Sequence, residues 1–230
     1  MTFFYKNAIN IFTDASVCKT NNKWISCSGF IAVYNGRVIN QDYKIFYDAT
    51  NGYGELYAIK LGVEYAISVG KETDLFLNII SDSLISVNNI RKWIFEWKYS
   101  EDHPYLLKTK QGTIVSNQDL VLNIVGMIIY SGIHMNFYHI LGHKNSASIS
   151  DLVKVQEAFK KHNEIDIRIP DEIYQEMMSY NSMIDRYSRN HLYTIIKNKE
   201  YTNTEYQKFR FPCIWTPNQY DMQVYKQLIS

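Results

Sequence analysis

Three consecutive segments near the start of the chain have strand-like patterns, and this beginning restricts the fold more than any other feature. Residues 8–14 alternate apolar side chains up to an abrupt aspartate, which predicts a strand that ends in a carboxylate. Residues 25–36 and 37–47 predict two more strands, and Asn35-Gly36 at their junction is typical of a hairpin turn. We therefore expect the chain to begin with three antiparallel strands.

The period of the apolar residues then changes to that of a helix. Leu56, Ile59, Val63 and Ile67 fall on one helical face, which predicts a helix over residues 55–69. The pattern that follows predicts a strand over 75–80, a helix over 84–98, a turn-rich excursion over 99–116, a helix from Asn117 to about Tyr130, and a strand over 134–141. This order predicts a mixed α/β sheet with helices on both faces.

The remainder of the chain is polar and mixed in charge. It predicts helices over 150–162 and 179–198, and then a tyrosine-rich segment in which Pro212 and Pro217 interrupt regular structure.

Composition excludes several classes of protein. With 46% hydrophobic residues, including 19 Tyr, 11 Phe and 4 Trp, the chain can build a full core, so it is not predominantly disordered. The 24 Lys and Arg against 23 Asp and Glu give a formal charge of +1, so any nucleic-acid site has to be local. The longest apolar stretch, 120–141, is broken by polar residues, which predicts no membrane span.

The cysteines indicate the compartment. Cys18, Cys27 and Cys213 are far apart and form no CxxC pair, which favours reduced thiols over a zinc site or a disulfide framework. The N-terminal segment is too short and too interrupted for a signal peptide. We therefore expect a cytoplasmic protein.

Three carboxylates occupy positions that suggest a common site. Asp14 ends the first predicted strand, Glu55 starts the first helix, and Asp82 follows the fourth strand. A single such aspartate is often a helix N-cap, but the carboxyl ends of neighbouring parallel strands also meet in one crevice. Clustered carboxylates repel unless cations neutralise them, and oxygen ligands suit Mg²⁺ or Mn²⁺. The pattern predicts an acidic divalent-metal site that is compatible with phosphodiester chemistry.

Several motifs, in this order and on these elements, resemble those of type 1 ribonuclease H. They are IFTDAS (11–16), ATNGYGELYAI (49–59), IISDSLISVNNIRKW (79–93), KTKQGTIVSNQDL (108–120), YHILGHKN (138–145) and NSMIDRYSR (181–189). The resemblance implies a ribonuclease H-like sheet of five strands, three antiparallel and then parallel additions. It covers roughly residues 8–145 and 179–190.

The resemblance also implies an activity and its metal ligands. A ribonuclease H hydrolyses the RNA strand of RNA–DNA hybrids with two Mg²⁺ ions, for which Mn²⁺ can substitute, and leaves 3′-hydroxyl and 5′-phosphate ends. The implied ligands are Asp14, Glu55, Asp82 and Asp185. Rival candidates for the fourth acid are Asp151, Asp166 and Asp171.

Further residues acquire roles from the same resemblance. His143, in Leu-Gly-His, matches a histidine that transfers a proton or assists product release. The implied contacts to the hybrid are Ser16, Thr50, Asn51 and Asn181, together with Trp93, Lys98, Lys108 and Lys110 of a basic handle over residues 91–116. A simple turn before a helix is the alternative interpretation of Thr50 and Asn51.

Two segments depart from the compact members of the family. We interpret residues 1–198 as a ribonuclease H-like domain with an insertion over about 144–180, and residues 199–230 as an extension packed on it. The insertion is a lid, a substrate contact, a docking surface or a tolerated loop. The extension alternatively binds nucleic acid through its basic and aromatic residues.

Two other functions remain open at this stage. One is a nuclease of the same fold that acts on DNA, either a resolvase or an exonuclease, and the other is a non-catalytic module that binds nucleic acid or protein.

Overall fold

Strand β1 is the central strand of a five-stranded sheet. The structure is a computed structural model that describes residues 7–20, 23–103, 106–166, 168–199 and 217–229. The strands of the sheet are β1 (Ala8–Thr20), β2 (Lys23–Tyr34), β3 (Arg37–Tyr47), β4 (Phe76–Ser81) and β7 (Asn136–His139), and β5 (Lys98–Tyr99) pairs separately with β6 (Leu107–Lys108). The order across the sheet is β3-β2-β1-β4-β7.

The direction of the strands agrees with the sequence pattern. The first three are antiparallel neighbours, whereas β4 is parallel to β1 and β7 is parallel to β4. The hairpin between β2 and β3 turns at Asn35 and Gly36, whose φ angles are 50° and 72°. The predicted mixed α/β sheet is therefore confirmed.

Helices cover both faces of the sheet. They are α1 (Asn51–Gly70), α2 (Leu84–Arg91), α3 (Gln118–Ser131), α4 (Ile149–Asn163), α5 (Asp171–Asn198) and α6 (Gln219–Leu228), with a 3-10 turn at Trp93–Phe95. One core joins the sheet to α1, α2, α3 and α6, and a second core on the opposite face joins it to α4 and α5. Among the described residues, no helix is long and apolar enough to cross a bilayer.

Strand β1 is longer than its sequence pattern predicts. Its parallel pairing with β4 stops at Thr13 and Ser81, but its antiparallel pairing with β2 continues to Thr20. Asp14 therefore does not end the strand, because the ladder with β2 keeps the backbone extended. It is the first residue beyond the parallel ladder, beside the carboxyl end of β4.

Three predicted helix boundaries are wrong. Helix α1 begins four residues before Glu55, because the Thr50 hydroxyl accepts the amide of Tyr53 at 3.3 Å and caps the helix. Helix α2 ends at Arg91 rather than near residue 98, and the next residues form the 3-10 turn that buries Ile94.

Helix α5 begins at Asp171, directly after Pro170 and eight residues before its predicted start. Asn117 precedes α3 as predicted, but its side chain makes no capping hydrogen bond.

The C-terminal helix α6 packs on the first core. Tyr225 is fully buried and its hydroxyl donates to the carbonyl of Ile90 at 3.1 Å, close to the end of α2. The amide of Met135 donates to the carbonyl of Leu228 at 2.9 Å, beside the start of β7. Most of the aromatic segment before α6, residues 200–216, lies outside the described residues, so its predicted role remains a prediction.

Candidate active site

The carboxylates of Asp14, Glu55 and Asp82 form one cluster at the carboxyl end of the parallel strands. One oxygen atom from each side chain lies within 4.8 Å of those of the other two. Asp14 and Glu55 are 5% and 7% exposed, and Asp82 is half-buried. We call these three residues the carboxylate cluster.

A close approach of helix α1 to the sheet brings Glu55 to the cluster. A Cβ atom at Gly54 would lie 2.3 Å from the Ser26 hydroxyl and 3.0 Å from the Ala15 Cβ. The hydroxyl of Ser28 donates to the Gly54 carbonyl at 2.8 Å, which fixes the first turn of the helix on β2. The absence of a side chain at Gly54 thus places the next residue, Glu55, beside β1.

Asp82 is held by two segments that are distant in sequence. The Nδ2 atom of Asn181 on α5 donates to its Oδ2 at 3.3 Å. A Cβ atom at Gly142 would lie 2.2 Å from the same oxygen, so a larger residue there would force the carboxylate or the loop to move. Gly142 lies in one of the sequence motifs, which gave no sign of this contact.

Burial and mutual repulsion raise the pKa values of the cluster. Burial is the largest cause for all three carboxyls. The charge of Asp82 adds to the rise in the pKa of Asp14, and the charges of Asp14 and Asp82 add to that of Glu55. The hydrogen bond from Asn181 and the charge of His143 oppose the rise in the pKa of Asp82. A cation at this point would remove the repulsion.

Two buried oxygen atoms support the fit of a cation. Glu55 Oε2 and Asn181 Oδ1 are both buried and neither has a hydrogen-bond partner. An unsatisfied buried acceptor is costly, and a hard divalent ion with oxygen ligands would satisfy it. The donor set therefore fits a divalent metal.

Asp185 lies close enough to influence the cluster. Its charge raises the pKa values of Asp14, Glu55 and Asp82, although its oxygens do not belong to the set within 4.8 Å. Both of its oxygens accept from Arg189 Nη2, at 2.7 and 2.8 Å. Arg189 also lowers the pKa of Asp14, so its charge reaches the cluster. Arg189 was not among the site residues expected from the sequence, although its i, i+4 spacing from Asp185 was a signal.

Two of the three rival acids accept hydrogen bonds elsewhere. Asp151, in the first turn of α4, accepts from the amide of Asn145 at 3.1 Å, and Asp171 accepts from Gln156 Nε2 at 2.7 Å. Asp166 lies in the loop after α4.

Comparison with known proteins identifies the family. The model of the RNase H family matches residues 6–159, about two thirds of the chain. The chain belongs to the RNase H family. This confirms the resemblance found in the sequence, but the match includes Asp151 and ends before Asp185.

One curated relative and two solved structures are similar to this chain. Ribonuclease HI of Haemophilus ducreyi is 35% identical over 117 residues, which are 50% of this chain and 67% of the relative. LC11-RNase H1 in complex with RNA/DNA hybrid has a TM-score of 0.43 and 18% sequence identity to this chain. The match covers 66% of this chain and 97% of the LC11-RNase H1 chain. A foamy viral protease-reverse transcriptase in complex with RNA/DNA hybrid has a TM-score of 0.49 and 14% identity, covering 71% of this chain and 20% of that one. This RNase H therefore spans only a fifth of the viral protein.

His143 of this RNase H lies on the loop that passes the cluster. It is exposed, it has a φ of 54°, and its charge lowers the pKa of Asp82. The loop thus brings an imidazole to the open side of the carboxylates.

The residues expected to contact the hybrid occupy two regions. Ser16 lies half-buried on β1 two residues after Asp14, whereas Thr50 and Asn51 are exposed at the start of α1. As described above, the hydroxyl of Thr50 caps that helix, which agrees with the alternative interpretation of a turn.

The handle is a small hairpin rather than a continuation of α2. Lys98 and Lys108 face each other across β5 and β6, and Trp93 is 37% exposed on the preceding turn. Lys110 pairs with Glu96 through an Nζ–Oε1 distance of 2.9 Å. The two lysines of the hairpin therefore lie side by side, and Lys108 Nζ also lies 3.8 Å from Asp102 Oδ2.

A buried histidine completes the surroundings of Asp82. Nε2 of His139, at the end of β7, lies 3.2 Å from the carbonyl oxygen of Asp82, and its Nδ1 lies 2.9 Å from Nδ1 of His162. Burial, followed by the charge of His162, lowers the pKa of His139 to about 4. Sequence spacing gave no signal of this pair, because its members lie on different elements.

Proposed function

We propose that this protein is a metal-dependent endoribonuclease that hydrolyses the RNA strand of RNA–DNA hybrids and leaves 3′-hydroxyl and 5′-phosphate ends. The observation that carries the proposal is the carboxylate cluster, in which three carboxylate oxygens lie within 4.8 Å in a member of the RNase H family. The curated relative with the name Ribonuclease HI supports the same activity.

The ions in this proposal are two Mg²⁺, with Mn²⁺ as a substitute. Asp14, Glu55, Asp82 and Asp185 would hold them, because they are oxygen ligands that already repel one another. When bound, such ions supply an activated water for attack on the phosphorus and stabilise the leaving oxygen.

The protein's own side chains do the remaining work. Asn181 holds Oδ2 of Asp82 in place through its amide. His143 is exposed beside Asp82, where it can accept a proton from the attacking water or give one to the leaving 3′ oxygen.

The hybrid would lie across the open side of the cluster. Ser16 would face the RNA strand, Thr50 and Asn51 would contact the DNA strand, and the handle would bind phosphates farther along the duplex. Recognition through 2′-hydroxyls and groove shape gives little sequence preference.

A cytoplasmic location belongs to the same proposal. It is supported by Cys18 and Cys27, which are free thiols in the described part of the chain.

Cleavage of a hybrid with one labelled strand tests the activity. We expect Mg²⁺-dependent cleavage of the RNA strand, no cleavage of single-stranded RNA, and products with 5′-phosphate ends. Asp82→Asn should abolish cleavage, whereas Asp74→Asn, in the exposed loop before β4, should retain it. Cleavage of DNA substrates alone would replace the proposal with a DNA nuclease, and binding without cleavage under any divalent ion would replace it with a binding module.

A further inference from the structure

The contact between His139 and Asp82 has a defined direction. A carbonyl oxygen only accepts, so Nε2 of His139 carries the hydrogen and donates to Asp82 at 3.2 Å. The other ring nitrogen then accepts from Nδ1 of His162 at 2.9 Å. His139 itself is buried, with 3% of its surface exposed, whereas His162 is half-buried.

Asn163 fixes the backbone of the same histidine. Its Oδ1 accepts from the amide of His139 at 2.7 Å and its Nδ2 donates to the carbonyl of His139 at 2.8 Å. The side chain of Asn163 thus makes the two backbone hydrogen bonds that a neighbouring strand would make at the outer edge of β7. A further bond from Nδ2 to the carbonyl of Phe159, at 2.9 Å, orients the amide.

Both partners of His139 come from the insertion. His162 and Asn163 are the last residues of α4, and this helix follows the loop that carries Gly142. The loop itself contacts the carboxylate of Asp82 through Gly142, while His139 contacts its backbone. Asp82 is therefore held on two sides by a segment that α4 fixes in position.

We propose that His139, His162 and Asn163 position Asp82, so that the inserted helix α4 acts as an internal support of the metal-binding carboxylate. The inference rests on the proposed function, because it takes Asp82 as a metal ligand. It assigns a role to the insertion that differs from a lid or a substrate contact, since α4 acts through the sheet edge. These three are positioning residues, because they act through Asp82.

Titration of the full-length protein with Mn²⁺ tests the inference without a catalytic assay. Electron paramagnetic resonance of free Mn²⁺ reports the affinity. His139→Phe removes the donor to Asp82 and should weaken Mn²⁺ binding about fivefold, the equivalent of one neutral hydrogen bond. His139→Gln retains a donor near the position of Nε2 and should bind within about twofold of the wild type. A merely structural role would not separate the two variants.

The outcomes distinguish this inference from the proposed function. Wild-type protein that binds no Mn²⁺, or Asp82→Asn that binds it normally, would contradict the proposed function. If the wild type binds Mn²⁺ and His139→Phe and His139→Gln bind it with equal affinity, the inference is overturned but the proposed function is not. If His139→Phe does not fold, the test uses His162→Phe instead, because His162 is the less buried member of the pair. It should weaken Mn²⁺ binding about fourfold, and an affinity within about twofold of the wild type would overturn the inference.

Discussion

Replacing Asp14 with asparagine should remove the activity and at the same time stabilise the metal-free protein. Asp14 repels two other carboxylates, and burial already raises its pKa. The amide of asparagine is neutral, and the oxygens of Glu55 and Asp82 can accept its hydrogens. The variant therefore loses a metal ligand and a source of electrostatic strain in one step.

The size of the effect follows from the spacing. Two unit charges 4.8 Å apart repel by about 3 kcal/mol at an effective dielectric constant of about 20. Proton uptake relieves part of this repulsion in the wild type, so we expect a gain of about 1–3 kcal/mol in the free energy of unfolding at pH 8. For a chain of this length that gain corresponds to a rise of about 3–10 °C in Tm.

The pH dependence has a defined sign. The folded carboxyls hold protons that the unfolded chain releases, because their folded pKa values are raised. The free energy of unfolding of the wild type in EDTA should therefore fall as the pH rises from about 4 through the raised pKa values. Asp14→Asn should show a shallower fall.

Urea unfolding in EDTA at several pH values measures both effects. Asp74→Asn is the control, because this aspartate is exposed before β4 and far from the cluster, and it should change the free energy of unfolding by less than about 0.5 kcal/mol. Addition of Mg²⁺ should stabilise the wild type more than Asp14→Asn. The reasoning would be refuted if Asp14→Asn were less stable than the wild type at pH 8 without metal.

Three further changes test separate parts of the site. Gly142→Ala should displace the carboxylate of Asp82 and lower kcat/KM about a hundredfold with little change in Tm; wild-type kinetics would contradict the contact. Asp185→Asn should lower kcat about a hundredfold, whereas the kcat of Asp151→Asn should stay within about threefold of the wild type. A large loss of kcat in Asp151→Asn and a small one in Asp185→Asn would identify Asp151 as the fourth ligand. Arg189→Gln should tighten Mn²⁺ binding about two- to fivefold in a titration, because it frees the carboxylate of Asp185; weaker binding would show that the arginine supports the site instead.

The sheet was predictable because its signals are local. Alternation of apolar residues, the Asn35-Gly36 turn and the change of period at α1 each depend on a few neighbouring residues. The meeting of Asp14 and Asp82 was also predictable, because neighbouring parallel strands end at one edge of the sheet, and Glu55 was expected there because it lies in the first turn of the helix that follows the hairpin. The strand that continues past Asp14 was not, since its length depends on pairing with β2.

The supporting residues were not predictable because their contacts are distant in sequence. His139 and Asp82 are in contact although they lie 57 positions apart in the sequence, and Asn181 and Asp82 lie 99 positions apart. The periodicity of the sequence gives no information about such contacts. The end of α2 was missed for a similar reason, because the buried turn at Ile94 belongs to the tertiary core rather than to the helix pattern.

Anomalous scattering from crystals of the protein with Mn²⁺ and an RNA–DNA hybrid whose scissile linkage is replaced by a non-hydrolysable analogue would examine the metal site most directly. The account predicts two manganese peaks at the scissile phosphate, both bonded to the carboxylate cluster, with Asp185 as a ligand of one of them. Manganese found only elsewhere, or a hybrid bound with no ion near Glu55, would contradict it.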